Sequence, residues 1–235
     1  MRKIVIFASL IFVIGVVSFS SNPILGPTEA LGQNVRKVLM IPREGYSRDL
    51  DLMLKMEVGV MISLLKNAGF EVDIATTSGQ PILGCTEKIE IEKVMQLSAV
   101  KLENYAGLIM PCMAVGSFPG PPVCPETVAI VKKALAGGKP VAASTFSVII
   151  LAEAGVLKGK KYAFSRDPLK TEKSWGKFGS TDQRFIDAIY SGPGVIQDGN
   201  IITSGACPFM ERIGGGLQSK VVELTQTFIK AIGPK

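Results

Sequence analysis

The sequence predicts an α/β protein, a three-layer sandwich with a mainly parallel sheet between two layers of helices. Three observations lead to this prediction. Short apolar segments alternate with segments of helical periodicity along the chain. One β-α-β unit can be traced between Val38 and Ala75, and an apolar strand runs through small residues into a helix near Thr145. The chain has 235 residues, of which 47% are hydrophobic and 20% charged, so it is long enough for one sizeable core.

The first β-α-β unit has a strand at residues 38–41, a helix at residues 49–68 and a second strand at residues 70–75. The helix shows apolar positions at three- and four-residue spacing and ends before Gly69. Apolar and polar residues then alternate over residues 88–94. This alternation predicts an edge hairpin or a short outer strand.

The rest of the chain repeats the alternation of strands and helices. Further strands are predicted at residues 107–111, 140–143 and 161–165, helices at residues 125–136, 146–154, 182–190 and within 210–232, and a hairpin at residues 195–202. The Pro- and Gly-rich residues 113–125 are predicted to form a loop.

The site of such a fold lies at the carboxyl ends of its strands, and Thr145 is placed there. It occupies the apex of a strand-turn-helix elbow, the position that displays a nucleophile in hydrolases. The chain contains no histidine, which excludes Cys-His and Ser-His catalysis and a His-liganded zinc site within one chain. An unassisted hydroxyl is a poor nucleophile, so the competing interpretation is that Ser144, Thr145 and Ser147 cap the helix or donate in turns.

Several segments together resemble one protein family. They are VLMIP from Val38, LLKNAGFEVDIAT, KLENYAGLIMP, GKPVAA with LAEAGVLKGKK, and DGNIITS, in that order. In order and spacing they resemble the ThiJ/PfpI family of the class I glutamine amidotransferase-like superfamily, which includes the Parkinson-linked deglycase. The resemblance covers roughly residues 36–232 and implies a flavodoxin-like sandwich that frequently forms homodimers.

The resemblance also implies a catalytic site that is degenerate here. Family enzymes have a nucleophilic Cys at the elbow, usually followed by His, and this chain has Thr145 and Phe146 there. Their Glu follows the first strand, at a position that falls near Ser47 or Arg48, with Glu44 and Asp49 the nearby acids. Their Pro-Gly-Gly turn is Pro111-Cys112-Met113 in this sequence. The resemblance therefore predicts that the chain is not an active enzyme of this family.

Four cysteines are present, at positions 85, 112, 124 and 207, with no CxxC spacing. Cys112 and Cys207 are expected to flank the elbow strand, where either thiol is an alternative nucleophile. Two strand spacings would separate them by about 9 to 10 Å, more than a disulfide allows. A Cys112–Cys124 bridge, with Cys85 or Cys207 elsewhere, is the other arrangement. Export and the even count predict at least one disulfide.

The N-terminus predicts export to the periplasm or the extracellular space. Arg2 and Lys3 precede an apolar run and a Ser18-Phe19-Ser20 triplet suited to cleavage. Residues 1–20 are therefore predicted to be a signal peptide, residues 21–35 a linker and residues 36–235 the ThiJ/PfpI-like domain. The alternative is an uncleaved leader that anchors the chain to the membrane, although its apolar run is shorter than the ~20 residues of a spanning helix.

Three functions are consistent with these residues. The first is a non-catalytic, exported domain that binds a small ligand, with an anion favoured by the basic loop after the first strand. Its predicted ligand-binding residues are Arg48, Cys112, Met113, Ser144, Thr145 and Phe146. The second is a hydrolase or deglycase that uses Cys112 or Cys207, and the third is a dimeric structural or interaction protein.

No cofactor, metal or nucleic-acid partner is predicted. The net charge is +6, but the basic residues are scattered and no aromatic residues lie between them in the manner that stacks bases. A small-molecule ligand and a second copy of the chain are the expected partners.

Overall fold

The structure is a computed structural model of the chain and describes residues 36–42, 49–86, 89–112, 123–170, 182–213 and 216–233. All of these residues lie in the unit Val35–Lys235. The predicted signal peptide and linker, residues 1–35, lie outside the described residues.

Parallel strands form the centre of the fold. The strands are β1 (Lys37–Met40), β2 (Glu71–Thr76), β3 (Ile82–Leu83), β4 (Glu90–Ile91), β5 (Val94–Gln96), β6 (Tyr105–Met110), β7 (Val141–Ser144), β8 (Lys161–Tyr162), β9 (Ile189–Tyr190), β10 (Val195–Asp198) and β11 (Ile201–Ser204). In the described part of the chain, seven of them form one sheet in the order β10-β11-β7-β6-β1-β2-β5. Every neighbouring pair is parallel except the β10–β11 hairpin. The predicted mainly parallel α/β sandwich is thereby confirmed.

Helices cover this sheet. They are α1 (Leu50–Met53), α2 (Gly59–Asn67), α3 (Pro125–Ala136), α4 (Val148–Glu153), α5 (Pro208–Arg212) and α6 (Val221–Ile232). A π-helical segment, Leu54–Val58, connects α1 to α2. α2 packs against α6 in one layer, and α3 packs against α4 in the other. No helix within the described residues is both long enough and apolar enough to cross a membrane.

The central strands are buried because helices cover both of their faces. All four residues of β7 are buried, and their small side chains allow close packing. Gly107 in β6 has the same role, since a Cβ atom there would lie 2.8 Å from Ile232 and 2.9 Å from Phe228 of α6. The core is therefore densest around β6 and β7, the strands that lead to the site.

Three predicted elements differ from the structure. The helix predicted at residues 182–190 is wrong: a 3₁₀ turn, Gln183–Phe185, precedes β9. Asp187 has φ 65°, which ends the turn, and the rings of Phe185 and Tyr190 both pack on Tyr162. β8 is shorter than predicted and pairs with β9 outside the main sheet. The single C-terminal helix is divided into α5 and α6.

Candidate functional site

The elbow is built as the sequence predicts, with Thr145 at its apex. β7 ends at Ser144, a 3₁₀ turn covers Thr145–Ser147, and α4 follows directly. Thr145 has φ 44° and is fully buried. A positive φ is a genuine outlier for a β-branched residue, and such strain is concentrated at functional sites. The chain thus retains the strained backbone of a nucleophile elbow without a nucleophilic cysteine on it.

The hydroxyl groups of the elbow do not cap the helix, so that interpretation is wrong. Ser144 Oγ donates to Glu57 Oε1 at 2.7 Å, and Ser147 Oγ donates to the Pro111 carbonyl at 2.7 Å. Thr145 Oγ1 is buried, and no described residue forms a hydrogen bond with it. A buried polar group without a partner carries a desolvation cost of about 1–3 kcal/mol. Thr145 therefore presents a hydroxyl group that the described part of the chain does not use.

A second buried hydroxyl of this kind lies on the neighbouring strand. Ser204 is fully buried, and its Oγ has no hydrogen-bond partner among the residues that the structure describes. In the parallel register of β11 and β7, Ser204 lies directly opposite Ser144. Two unused hydroxyl groups therefore occur at the carboxyl ends of adjacent strands, next to the elbow.

Glu57 is the acid of this site, and the sequence analysis missed it. It lies in the π-helical segment Leu54–Val58, is fully buried and accepts the hydrogen bond of Ser144. π-helical turns frequently occur at functional sites. The resemblance places the family's Glu near Ser47 or Arg48 instead, and those two residues lie outside the described part of the chain.

A signal for Glu57 exists in the sequence. Met53, Glu57, Met61 and Leu65 follow one another at a spacing of four, and all four are buried. A lone carboxylate in an apolar row of a helix faces the core, and a buried carboxylate requires a partner. A buried acid therefore lies beside the elbow, and the replacement of the family's Glu near Ser47 or Arg48 stays a prediction.

Cys112 and Cys207 lie on the two sides of the elbow strand. Cys112 follows β6 and Cys207 follows β11, on the two sides of β7, as predicted. Both are fully buried, and Cys207 is one of the groups that raise the pKa of Cys112. Their expected separation of about two strand spacings stays a prediction.

The surroundings of Cys112 favour the protonated thiol. Burial raises the pKa of Cys112, and the Cys207 and Glu57 groups raise it further, while the backbone N–H of Phe146, which follows the elbow apex, acts in the opposite direction. A thiol is a far weaker nucleophile than its thiolate. None of the four cysteines forms a disulfide in this structure, so the predicted disulfide is not present in it.

The remaining predicted site residues are distributed as follows. Phe146 is buried, and its ring packs against Phe164 with 6.3 Å between the centroids. Arg48 and Met113 lie outside the described residues. Within the described ranges, no three His, Cys, Asp or Glu side chains are placed to hold a metal ion.

The fold and the elbow together define a class of protein: an α/β sandwich whose site stands at the strand-turn-helix apex beside a buried acid. A family model places the chain more narrowly. Residues 49–213 match the DJ-1/PfpI family, and the chain belongs to this family, which confirms the resemblance seen in the sequence.

The chain is similar to proteins of several other organisms. An uncharacterized protein of Methanocaldococcus jannaschii is 28% identical over 179 residues, which cover 76% of this chain and 78% of that protein. The ThiJ/PfpI domain protein from Brachyspira murdochii superposes with a TM-score of 0.56 at 13% identity, over 85% of this chain and 96% of that one. Oxidized Toxoplasma gondii DJ-1 gives a TM-score of 0.55 at 20% identity, over 85% and 91%. At these identities the two solved structures show the common fold.

Proposed function

We propose that this chain is an exported, non-catalytic member of the DJ-1/PfpI family that binds a small polar ligand at its elbow. The proposal rests on one observation above all. Thr145 holds a buried hydroxyl group, without a partner in the described ranges, on a strained backbone, and both the strain and the missing hydrogen bond cost stability. A ligand that hydrogen-bonds to this hydroxyl would offset that cost.

The absence of family catalysis is supported by the groups around the apex. Hydroxyl nucleophiles need an adjacent base, and no residue in the described part of the chain bonds to Thr145 Oγ1 and would act as one. The chain has no histidine. The raised pKa of Cys112 keeps its sulfur in the thiol form. Turnover of glyoxalase, deglycase and peptidase substrates is therefore expected to stay at background.

The ligand is proposed to be small and rich in hydroxyl or amide groups. Thr145 and Ser204 offer hydroxyl groups that donate and accept, and the Glu57 carboxyl group lies on the other side of Ser144. An anionic ligand was favoured by Arg43 and Arg48, whereas a carboxylate at Glu57 opposes an anion close to Ser144. Polyols and amides are accordingly screened alongside carboxylates and phosphates.

The test is a thermal-shift screen of these four compound classes, followed by titration calorimetry on wild type and Thr145→Val. Valine keeps the shape and removes the hydroxyl group, so affinity is expected to fall at least tenfold, since a lost hydrogen bond costs about 1.4 kcal/mol. Thr225→Val is the matched control, because that buried hydroxyl bonds to Val221 within α6. The proposal fails if nothing binds or if Thr145→Val binds as wild type does.

Export is proposed from residues 1–20 and is tested separately. The mature chain is expected to begin near Ser21 and to be recovered outside the cytoplasm. Intact mass and cell fractionation measure both. A chain that retains Met1 in the membrane fraction would establish the anchored alternative instead.

A hydrolase or deglycase that uses Cys112 or Cys207 is the second candidate. It is supported by the backbone N–H of Phe146, which acts to lower the pKa of Cys112, and it is opposed by burial and by the nearby Glu57, which raise that pKa. A rate that disappears in Cys112→Ser or Cys207→Ser and persists in Cys85→Ser would establish this function over the first.

A further inference from the structure

An ion pair joins two helices at the carboxyl edge of the sheet. The Arg212 guanidinium, at the end of α5, contacts the Asp49 carboxylate directly before α1, and the two helices are themselves in contact. α1 follows β1 and α5 follows β11, and β6 and β7 lie between these two strands in the sheet. Because three strand spacings amount to about 14 Å, the joined helices span the carboxyl ends of β6 and β7, where the elbow lies.

The polar groups of the candidate site are closed off from solvent. Ser144, Thr145 and Ser204 are all fully buried, and so is Cys207, which directly precedes α5. A ligand that bonds to Thr145 or Ser204 therefore reaches them only after part of the surrounding structure has moved. Local opening of this kind costs less free energy than global unfolding.

The two helices differ in how they are held. On the side away from Arg212, the Asp51 carboxylate of α1 accepts the backbone N–H of Cys85 at 2.8 Å, the backbone N–H of Thr86 at 2.7 Å and the Thr86 hydroxyl at 2.6 Å. α5 is five residues long and ends at the half-exposed Arg212. α1 is therefore the fixed side and α5 the side that moves.

We propose that α1 and α5 form a gate over the elbow, that the Asp49–Arg212 ion pair is its latch, and that the gate opens before a ligand reaches Thr145 and Ser204. The ligand in this inference rests on the proposed function. The opening itself is a motion of the ligand-free chain and is measured without a ligand.

The strength of the latch follows from its exposure. The Arg212 side chain is 56% exposed and the Asp49 side chain 11%. An ion pair with one exposed partner is modest in strength and is weakened by salt. Met210 of α5 is buried, so the closed state dominates and the open state is a minor population. Loss of the latch should therefore increase the open population without unfolding the chain.

The first experiment uses Cys207 as a reporter of opening. The folded chain is incubated with N-ethylmaleimide, and the labelling rate of each cysteine is followed by peptide mass spectrometry. Neutralising the latch with Arg212→Gln or Asp49→Asn is expected to speed labelling of Cys207 roughly two- to fivefold. The double variant should be no faster than either single variant, because both changes remove the same interaction. Salt at about 1 M should speed the wild type and leave the variants unchanged.

Lys37→Gln is the matched control. Lys37 forms ion pairs with Glu71 and Asp73 and is likewise partly exposed, but it lies at the first residue of β1, the opposite end of that strand from the gate. Labelling of Cys207 should stay at the wild-type rate in this variant. Cys124 is only half-buried and serves as the internal reference, with the same labelling rate in every protein.

The second experiment measures binding kinetics with the strongest compound from the thermal-shift screen. Since the latch closes the gate on the free and the occupied site alike, Arg212→Gln should raise the association and dissociation rate constants by the same factor and leave Kd unchanged. A weaker Kd with an unchanged association rate constant would contradict the gate, because it would mean that Arg212 contacts the compound.

Labelling decides the gate even when no compound binds. An unchanged Cys207 rate in Arg212→Gln, or equal acceleration in Lys37→Gln, would overturn it. So would a steep dependence of the acceleration on urea, because that dependence marks the large exposed surface of global unfolding. Faster labelling with no binding would remove the proposed function and leave the gate, whereas binding at wild-type rates in Arg212→Gln would remove the gate and leave the proposed function.

Discussion

Thr145 combines two unfavourable features, a positive φ and a buried hydroxyl group to which no described residue bonds. Either one costs stability. Proteins keep such features where function requires them. Both features therefore support the proposal that the elbow binds a ligand.

Removing this hydroxyl group should stabilise the protein. Thr145→Val keeps the shape and the backbone while it removes a buried, unsatisfied hydroxyl, so the free energy of unfolding is expected to rise by about 1 kcal/mol. Urea denaturation of the ligand-free chain measures this. Thr225→Val loses a formed hydrogen bond and should show no gain. A less stable Thr145→Val protein would mean that the hydroxyl group has a partner in solution.

The Cys112 thiol should make stability depend on pH. Its pKa is raised in the folded chain, so the folded state holds this proton more tightly than the unfolded state does. The stability that this proton contributes is fully present below the pKa of the thiol in the unfolded chain, and it is lost as the pH rises above that value. Under reducing conditions, the free energy of unfolding is expected to fall between pH values of about 7.5 and about 9.5. The fall should be smaller in Cys112→Ala, and equal slopes in the two proteins would contradict this.

At the scale of elements, the sequence predicts correctly those strands and helices whose positions follow from neighbouring residues. β1, α2 and β2 and the hairpin of β10 and β11 follow from apolar periodicity and turn residues. The wrong predictions occurred where contacts between residues distant in sequence determine the secondary structure. Residues 182–190 have a helix-like pattern, but Phe185 and Tyr190 instead pack on Tyr162 of a separate strand.

The candidate site likewise has features that could be predicted from the sequence and features that could not. The elbow and its flanking cysteines could be predicted, because strand order and strand ends follow from the pattern. The bond between Glu57 and Ser144 joins residues far apart in sequence and depends on a π-helical turn that no local motif indicates.

Gly205 should be required for the end of β11 to take its position. A Cβ atom there would lie 2.4 Å from the backbone carbon and oxygen of Phe164, and backbone atoms cannot move aside cheaply. Gly205→Ala is expected to lower the free energy of unfolding by about 1–3 kcal/mol, as overpacking does. Gly194→Ala, where no atom lies within 4 Å, should be close to neutral by the same denaturation measurement. Equal stability of the two variants would contradict the close approach.

At the scale of the whole molecule, the family assignment explains the fold but not the chemistry. The chain keeps the sandwich, the elbow strain and a buried acid, and it has Thr145 where the resembling enzymes have a cysteine. A homodimer remains a prediction from the resemblance. Light scattering coupled to size-exclusion chromatography of the mature chain is expected to give twice the monomer mass, and a single-chain mass would contradict it.

The central claim, that the elbow binds a ligand without turning it over, is tested most directly by calorimetric titration of the strongest compound from the screen. One experiment records both processes, because binding gives heats that saturate and turnover gives a sustained displacement of the baseline. Wild type is expected to show saturable heats with a return to baseline, and Thr145→Val is expected to show an affinity at least tenfold lower. A sustained heat from wild type, or saturable binding unchanged by Thr145→Val, would contradict the claim.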